Sequence, residues 1–160
     1  MHLVSILENK EVEKRIAITP DIAKKYIDLG FKLSLQNNYG THLGFNDDVY
    51  KNLGAEFSSD ENNLIQNGDI IVQLGLPNND KLSLLKENQN LIGSFNVFSN
   101  KEKLEVIKSK KINCFSLELL PRITRAQSMD ILSSQANLAG YKAVIESFQV
   151  YEKAIPMMMT

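Results

Sequence analysis

Pro121-Arg122-Ile123-Thr124-Arg125-Ala126-Gln127-Ser128-Met129-Asp130, continued by Ile131-Leu132-Ser133-Ser134-Gln135-Ala136-Asn137-Leu138-Ala139-Gly140-Tyr141, is where the chain changes character. Before it stands a mostly apolar run over residues 112–120 that reads as a buried strand. After it comes a helical pattern that reaches about Lys153. The stretch itself is polar, with arginines, glutamines, an aspartate, hydroxyls and an asparagine. Polar groups that follow a strand and precede a helix stand where open α/β sheets bind ligands. Arg122 offers a fork of donors to a carboxylate, a phosphate or an amide oxygen. Gln127 and Asp130 can pair with the two ends of a carboxamide. The same content also suits a solvated strand-to-helix turn, and residue types alone leave both open.

Toward the N-terminus the pattern alternates between short strands and short helices. Residues 3–7 form an apolar strand and residues 8–14 a charged loop. Thr19-Pro20-Asp21 starts a helix, with Thr19 as cap, Pro20 in the first turn and Asp21 at the positive end; Gly30 ends it. Strands follow over 31–35, 55–57, 69–74, 91–95 and 112–117. Helices fall over 47–52 and 60–66, after Pro77, and after Asn100 as cap. Such alternation predicts a three-layer α/β fold: a flavodoxin-like parallel sheet with flanking helices, plus a long C-terminal helix. The strand over 112–117 is expected in the sheet interior with Cys114 buried. The last helix, read from Gln135, carries Leu138, Tyr141, Ile145 and Phe148. Asn137 and Gly140 weaken its start, and Pro156 places its end at Ile155. Met157, Met158 and Met159 make an odd terminus for a complete fold. The expected division is an N-terminal domain over residues 1–135 and an interdomain helix over 136–160.

One hundred and sixty residues suit one domain with a real core, and 43% hydrophobic and 23% charged residues are ordinary for a globular protein. A net charge of -1 gives no general pull toward nucleic acid or anionic lipid, so no nucleic-acid partner is expected. The single cysteine cannot form an internal disulfide. No apolar run reaches transmembrane length and the start lacks a signal-peptide pattern, so the cytoplasm is the default compartment. His2 and His42 are the only histidines, and no Cys/His/carboxylate cluster has ligand spacing, so no metal site is expected.

The run from Pro121 to Asp130, followed by Leu-Ser-Ser-Gln-Ala-Asn-Leu-Ala-Gly-Tyr, closely resembles the signature loop of the proton-translocating NAD(P) transhydrogenase alpha subunits, in their NAD(H)-binding component. In that family the loop's Arg, Gln, Asp and Ser lie by the nicotinamide and its ribose. The resemblance implies Arg122, Gln127, Asp130 and Ser133 as cofactor-binding residues. Near the N-terminus, Glu8, Glu13 and Arg15 stand in Glu-x-x-x-x-Glu-x-Arg-x-Ala-x-Thr-Pro. This resembles a signature shared with alanine dehydrogenases, where the matching Arg holds a substrate carboxylate. Arg15 is thereby implied as a second-rank substrate-binding residue; on spacing alone the segment is a charged loop.

Two departures separate the chain from the alanine dehydrogenase branch. That branch carries a Lys in a Lys-x-x-x-Pro pattern where Gln73 stands here, and a proton-transfer His within the segment matching Ser94-Phe95-Asn96-Val97. Neither Gln73 nor Asn96 does acid–base work near neutral pH. Amino-acid oxidation needs such a group, whereas hydride transfer between two nicotinamides does not. The resemblance therefore implies no catalytic acid or base.

A Gly-x-Gly-x-x-Gly loop is absent, so the chain is not expected to grip a dinucleotide alone. It is expected to be a piece of a longer protein, or one product of a split gene, stopping where the family's Rossmann domain begins. The resemblance implies NAD(H) bound jointly with that domain. It implies partnership with NADP(H)-binding and membrane components, and a cytoplasmic position peripheral to the membrane through them. A homodimer built partly on the last helix is expected, because an exposed apolar stripe of that size marks an interface. Two alternatives remain: a lobe of an alanine dehydrogenase-like enzyme, and a non-catalytic α/β interaction module.

Overall fold

A computed structural model describes residues 1–154 of the chain. Two compact units make it up, residues 1–119 and residues 120–160, and each is described by itself.

The first unit is built on strands too short and too apolar to face water. In chain order these are β1 (His2–Ser5), α1 (Pro20–Asp28), β2 (Lys32–Gln36), α2 (Asp47–Leu53), β3 (Glu56–Ser58) and α3 (Glu61–Asn67). They are followed by β4 (Ile70–Val72), α4 (Asn79–Leu84), β5 (Asn90–Gly93), α5 (Lys101–Ser109) and β6 (Asn113–Ser116). All strand pairings are parallel, in the order β3-β2-β1-β4-β5-β6. Leaving aside the three-residue edge strand β3, the remaining order is that of flavodoxin, so the expected class holds with one strand added.

Alternation along the strands divides the core between two faces. Leu3 packs with Ile18, Ala23, Leu33, Leu35, Tyr39 and Tyr50 on one side. Its neighbour Val4 packs with Leu64, Ile71, Leu82, Leu91 and Phe95 on the other. Removing one such side chain, as in Leu91→Ala, costs about 2–5 kcal/mol.

Several local expectations differ in detail. The strand expected in the interior, β6, lies at an edge of the described sheet. Asn113 and Phe115 are exposed there and Cys114 is half-buried, because apolar content cannot say which strand is last. Thr19 stands at the start of α1 but its side chain makes no capping bond. Asn100 does not cap α5 either; its amide donates to the carbonyl oxygens of Phe95 and Asn96 at 2.9 and 3.2 Å. Asp60 and Asn78 do cap, accepting from the amides of Asn63 and Lys81 at 3.0 Å each.

In the second unit, a 3₁₀ turn over Thr124–Met129 leads directly into α6 (Ile131–Val150). The helix starts before the expected Gln135 because Asp130 caps it. Its side chains are exposed almost throughout, Phe148 at 56% and Tyr141 at 70%. The expected helix end at Ile155, Pro156 and the three methionines lie outside the described residues.

Candidate functional site

In the first unit the sheet reverses its winding at β1. One neighbour, β2, comes next in sequence, and the other, β4, follows after a crossover. Open α/β sheets bind ligands outside the carboxyl ends of the strands at such a point. A cavity of about 310 Å³ lies there, lined by Glu8, Glu13, Gln73, Pro77, Lys81 and Lys103 among others. A larger cavity of about 570 Å³ lies at the opposite edge, between Gln66–Asp69 and Lys86–Asn90. Its position at the amino ends of the strands argues against it despite its size.

The carboxylates near the switch point are each fixed by named partners. Glu8 accepts from the Leu74 amide at 2.6 Å and from Gln73 Nε2 at 3.1 Å. Burial pushes its carboxyl above the usual range, and the nearby Glu13 charge adds to this. The amides of Leu74 and Gly75 and the charge of Lys81 offset it only in part. Glu13 receives Arg15 Nε at 2.8 Å and a second guanidinium nitrogen at 2.6 Å. Those bonds hold its carboxyl below the usual range.

Gln73 is 3% exposed, with both ends of its carboxamide engaged: Oε1 accepts from the Ile6 amide at 2.9 Å while Nε2 faces Glu8. At the next strand, Glu118 accepts from the amides of Phe95 and Val97 at 3.1 and 3.3 Å, and so shapes the turn after β5. Burial pushes Glu118 up, but hydrogen bonds from the Ser116 hydroxyl and from backbone amides outweigh it, and the carboxyl ends below its usual range. Asn96 in this turn has φ 46°, a left-handed conformation that asparagine tolerates.

The second unit carries the polar loop. Arg122, Gln127 and Asp130 line one cavity of about 330 Å³, together with Ile123, Thr124 and Ala126. The 3₁₀ turn brings them together: the Ala126 amide donates to the Ile123 carbonyl at 2.9 Å, and Ala126 is buried. Ser133 is not in that lining. It donates to Asp130 instead, amide to Oδ1 at 3.0 Å and hydroxyl to Oδ2 at 2.6 Å. These two bonds, with the charge of Arg122 behind them, hold the Asp130 carboxyl below its usual range. Each carboxylate oxygen keeps a further lone pair for another donor. A carboxamide, with one acceptor and two donors, matches Arg122 as donor, Asp130 as acceptor and Gln127 as either. The residues present therefore fit the amide end of a nicotinamide.

Sequence reasoning left out Gln73 as a structural link, Tyr39 and Glu118. The available signal was a polar residue in the apolar run Ile70-Ile71-Val72-Gln73. His42, expected to face solvent, is exposed but also bonds the Lys14 carbonyl through Nε2 at 2.8 Å.

A doubly wound parallel sheet with a polar strand-to-helix loop defines a class of nucleotide-handling α/β proteins. Residues 6–139 match the alanine dehydrogenase/PNT N-terminal domain, and the chain belongs to that family. It is 37% identical over 158 residues to the first part of the divided NAD(P) transhydrogenase subunit alpha of Rhodospirillum rubrum, covering 96% of this chain and 41% of that protein. It is 38% identical over 164 residues to the protein of the same name from Rickettsia prowazekii, covering 100% and 43%. Its fold matches the crystal structure of transhydrogenase from Sinorhizobium meliloti with a TM-score of 0.87 and 34% identity, over 98% of this chain and 47% of that one. The chain thus spans less than half the length of the relatives it matches. Among the described residues no helix is long and apolar enough to cross a membrane, and no group of histidine, cysteine and acidic residues could hold a metal ion.

Proposed function

We propose that the chain is the nicotinamide-facing lobe of the NAD(H)-binding component of an NAD(P) transhydrogenase. The observation that carries this reading is the shared cavity of Arg122, Gln127 and Asp130 on the polar loop. NADH, when bound, supplies the hydride, which in the whole enzyme passes to NADP+ in a separate component and is coupled to proton translocation. The residues of this chain position rather than exchange protons. Arg122 donates to the carboxamide oxygen. Asp130 accepts from the amide or from a ribose hydroxyl, with its own orientation locked by Ser133. Gln127 supplies a further polar contact.

Gln73, buried with both ends of its amide engaged, offers no acid or base. That favours hydride transfer between nicotinamides over amino-acid oxidation. Pyrophosphate binding falls to a Rossmann domain, since the loop after β1 has no glycine. In the same reading the chain works as a homodimer with α6 contributing, and with the NADP(H)-binding and membrane components as partners. It stands on the cytoplasmic face of the membrane through them.

The test uses a protein carrying this lobe together with its Rossmann domain. Arg122→Ala should lower hydride transfer more than it weakens NADH binding, because misplacement at the reacting carbon reduces rate steeply. Normal turnover in that variant would remove Arg122 from the site.

A further inference from the structure

The polar groups at the carboxyl ends of β1 and β4 form one connected chain. Glu8 Oε1 faces the Leu74 amide and Gln73 Nε2, and Gln73 Oε1 therefore faces the Ile6 amide at 2.9 Å. The Ser5 hydroxyl has one proton and two oxygens that only accept, Val72 O at 2.7 Å and Gln73 Oε1 at 3.0 Å. Tyr39 Oη, 2.7 Å from Ser5 Oγ, must then donate to serine. Its oxygen in turn accepts from the amides of Ala17 and Ile18 at 3.2 Å each. Those amides close the segment that begins at Arg15. Ser5, Gln73 and Tyr39 are all buried, so no water competes for these bonds.

We propose that Glu8 is a positioning residue for Arg15. Its Oε1 fixes the direction of this hydrogen-bond chain, and through Gln73, Ser5 and Tyr39 it holds residues 15–18 in register with the turn after β4. The significance for ligand binding rests on the reading of Arg15 as a ligand-facing residue. The charges acting on Glu8 come from Glu13 and Arg15 on the same loop and from Lys81 on α4; Lys103 of α5 lines the same cavity.

The test is a set of ¹⁵N–¹H spectra of the 160-residue chain and its Glu8→Leu and Glu8→Gln variants from pH 4 to 8. In the wild type the amide protons of Leu74, Ala17 and Ile18 should share one titration, with a midpoint above the usual carboxylate range. Glu8→Leu fills the space without an acceptor. It should shift the Ala17 and Ile18 amides and speed exchange of the Arg15 Nε proton roughly fivefold, as loss of about 1 kcal/mol of ordering would. Glu8→Gln keeps Oε1, so it should restore those positions while abolishing the titration. If Glu8→Leu moves Leu74 but leaves Ala17, Ile18 and Arg15 as in the wild type, the proposal is wrong. Should Glu8→Leu not fold, the wild-type titration decides alone, and Ala17 and Ile18 failing to follow Leu74 would overturn it. The reading of Arg15 fails separately, whatever Glu8 does, if millimolar NADH moves no Arg15 signal in the wild-type chain.

Discussion

Asp130 and Ser133 are joined twice, amide to one carboxylate oxygen at 3.0 Å and hydroxyl to the other at 2.6 Å. The pair closes the first turn of α6 and at the same time orients the carboxylate beside Arg122. The two roles separate by substitution. Asp130→Asn keeps an acceptor and should leave exchange of the Ser133 and Ser134 amides near wild type, while removing the charge facing the cavity. Asp130→Ala should speed exchange at both amides. Equal protection in all three proteins would show that the cap does not hold the helix start.

Gly93 stands where β5 approaches the end of β4. A Cβ there would meet the Gln73 carbonyl oxygen at 2.1 Å and the Phe95 ring at 2.4 Å. The first contact is backbone and cannot swing away. Gly93→Ala should lower stability by about 3 kcal/mol or more, read as a fall in the urea midpoint. A change within about 0.5 kcal/mol would mean that the two strand ends separate easily.

How much of this was legible beforehand depended on where the information sits. Strand-helix alternation is written locally in the apolar spacing, so the parallel α/β class could be read from residues 3–117. Which strand lies at the edge is not local: β6 reads as apolar as β4, and only the pairing places it last. The caps were half legible. Asp60 and Asn78 bond as their type suggests, whereas Thr19 and Asn100 sit at helix starts without capping bonds. At the polar loop, residue type identified Arg122, Gln127 and Asp130, but the 3₁₀ turn that gives them one cavity has no clear sequence signature. The Glu8–Gln73 link joins residues 65 positions apart, beyond the reach of any local pattern.

Acid should weaken the fold through Glu118. Its folded carboxyl lies below the ordinary value, so its contribution is present above that value and is lost as pH falls through the folded one. Glu8 has the opposite sign. Its raised carboxyl contributes fully below the ordinary value, and that contribution disappears as pH rises through the folded one. Glu118→Gln should therefore flatten the acid side of the stability profile, and Glu8→Gln should not. Urea midpoints from pH 3 to 7 test this, and an unchanged acid limb in Glu118→Gln would contradict it.

Leu138, Tyr141, Ile145 and Phe148 recur along α6 at three- and four-residue spacing and are all exposed. Such a stripe should drive self-association. Sedimentation at high concentration should show a dimer for the chain and a shift toward monomer for Phe148→Glu. A strict monomer at every concentration would exclude this helix as a dimer surface.

The central claim is that the loop from Arg122 to Asp130 faces the nicotinamide end of the cofactor. The most direct measurement is a titration of the ¹⁵N-labelled chain with NADH and, separately, with ADP-ribose, which lacks the nicotinamide. A few neutral hydrogen bonds of about 1 kcal/mol each cannot offset an association cost of several kcal/mol, so binding should be on the order of millimolar. The account predicts that NADH shifts the Arg122 and Gln127 side-chain signals and the Asp130 amide, and that ADP-ribose leaves them in place. Micromolar binding by this chain, or equal shifts with both ligands, would contradict it.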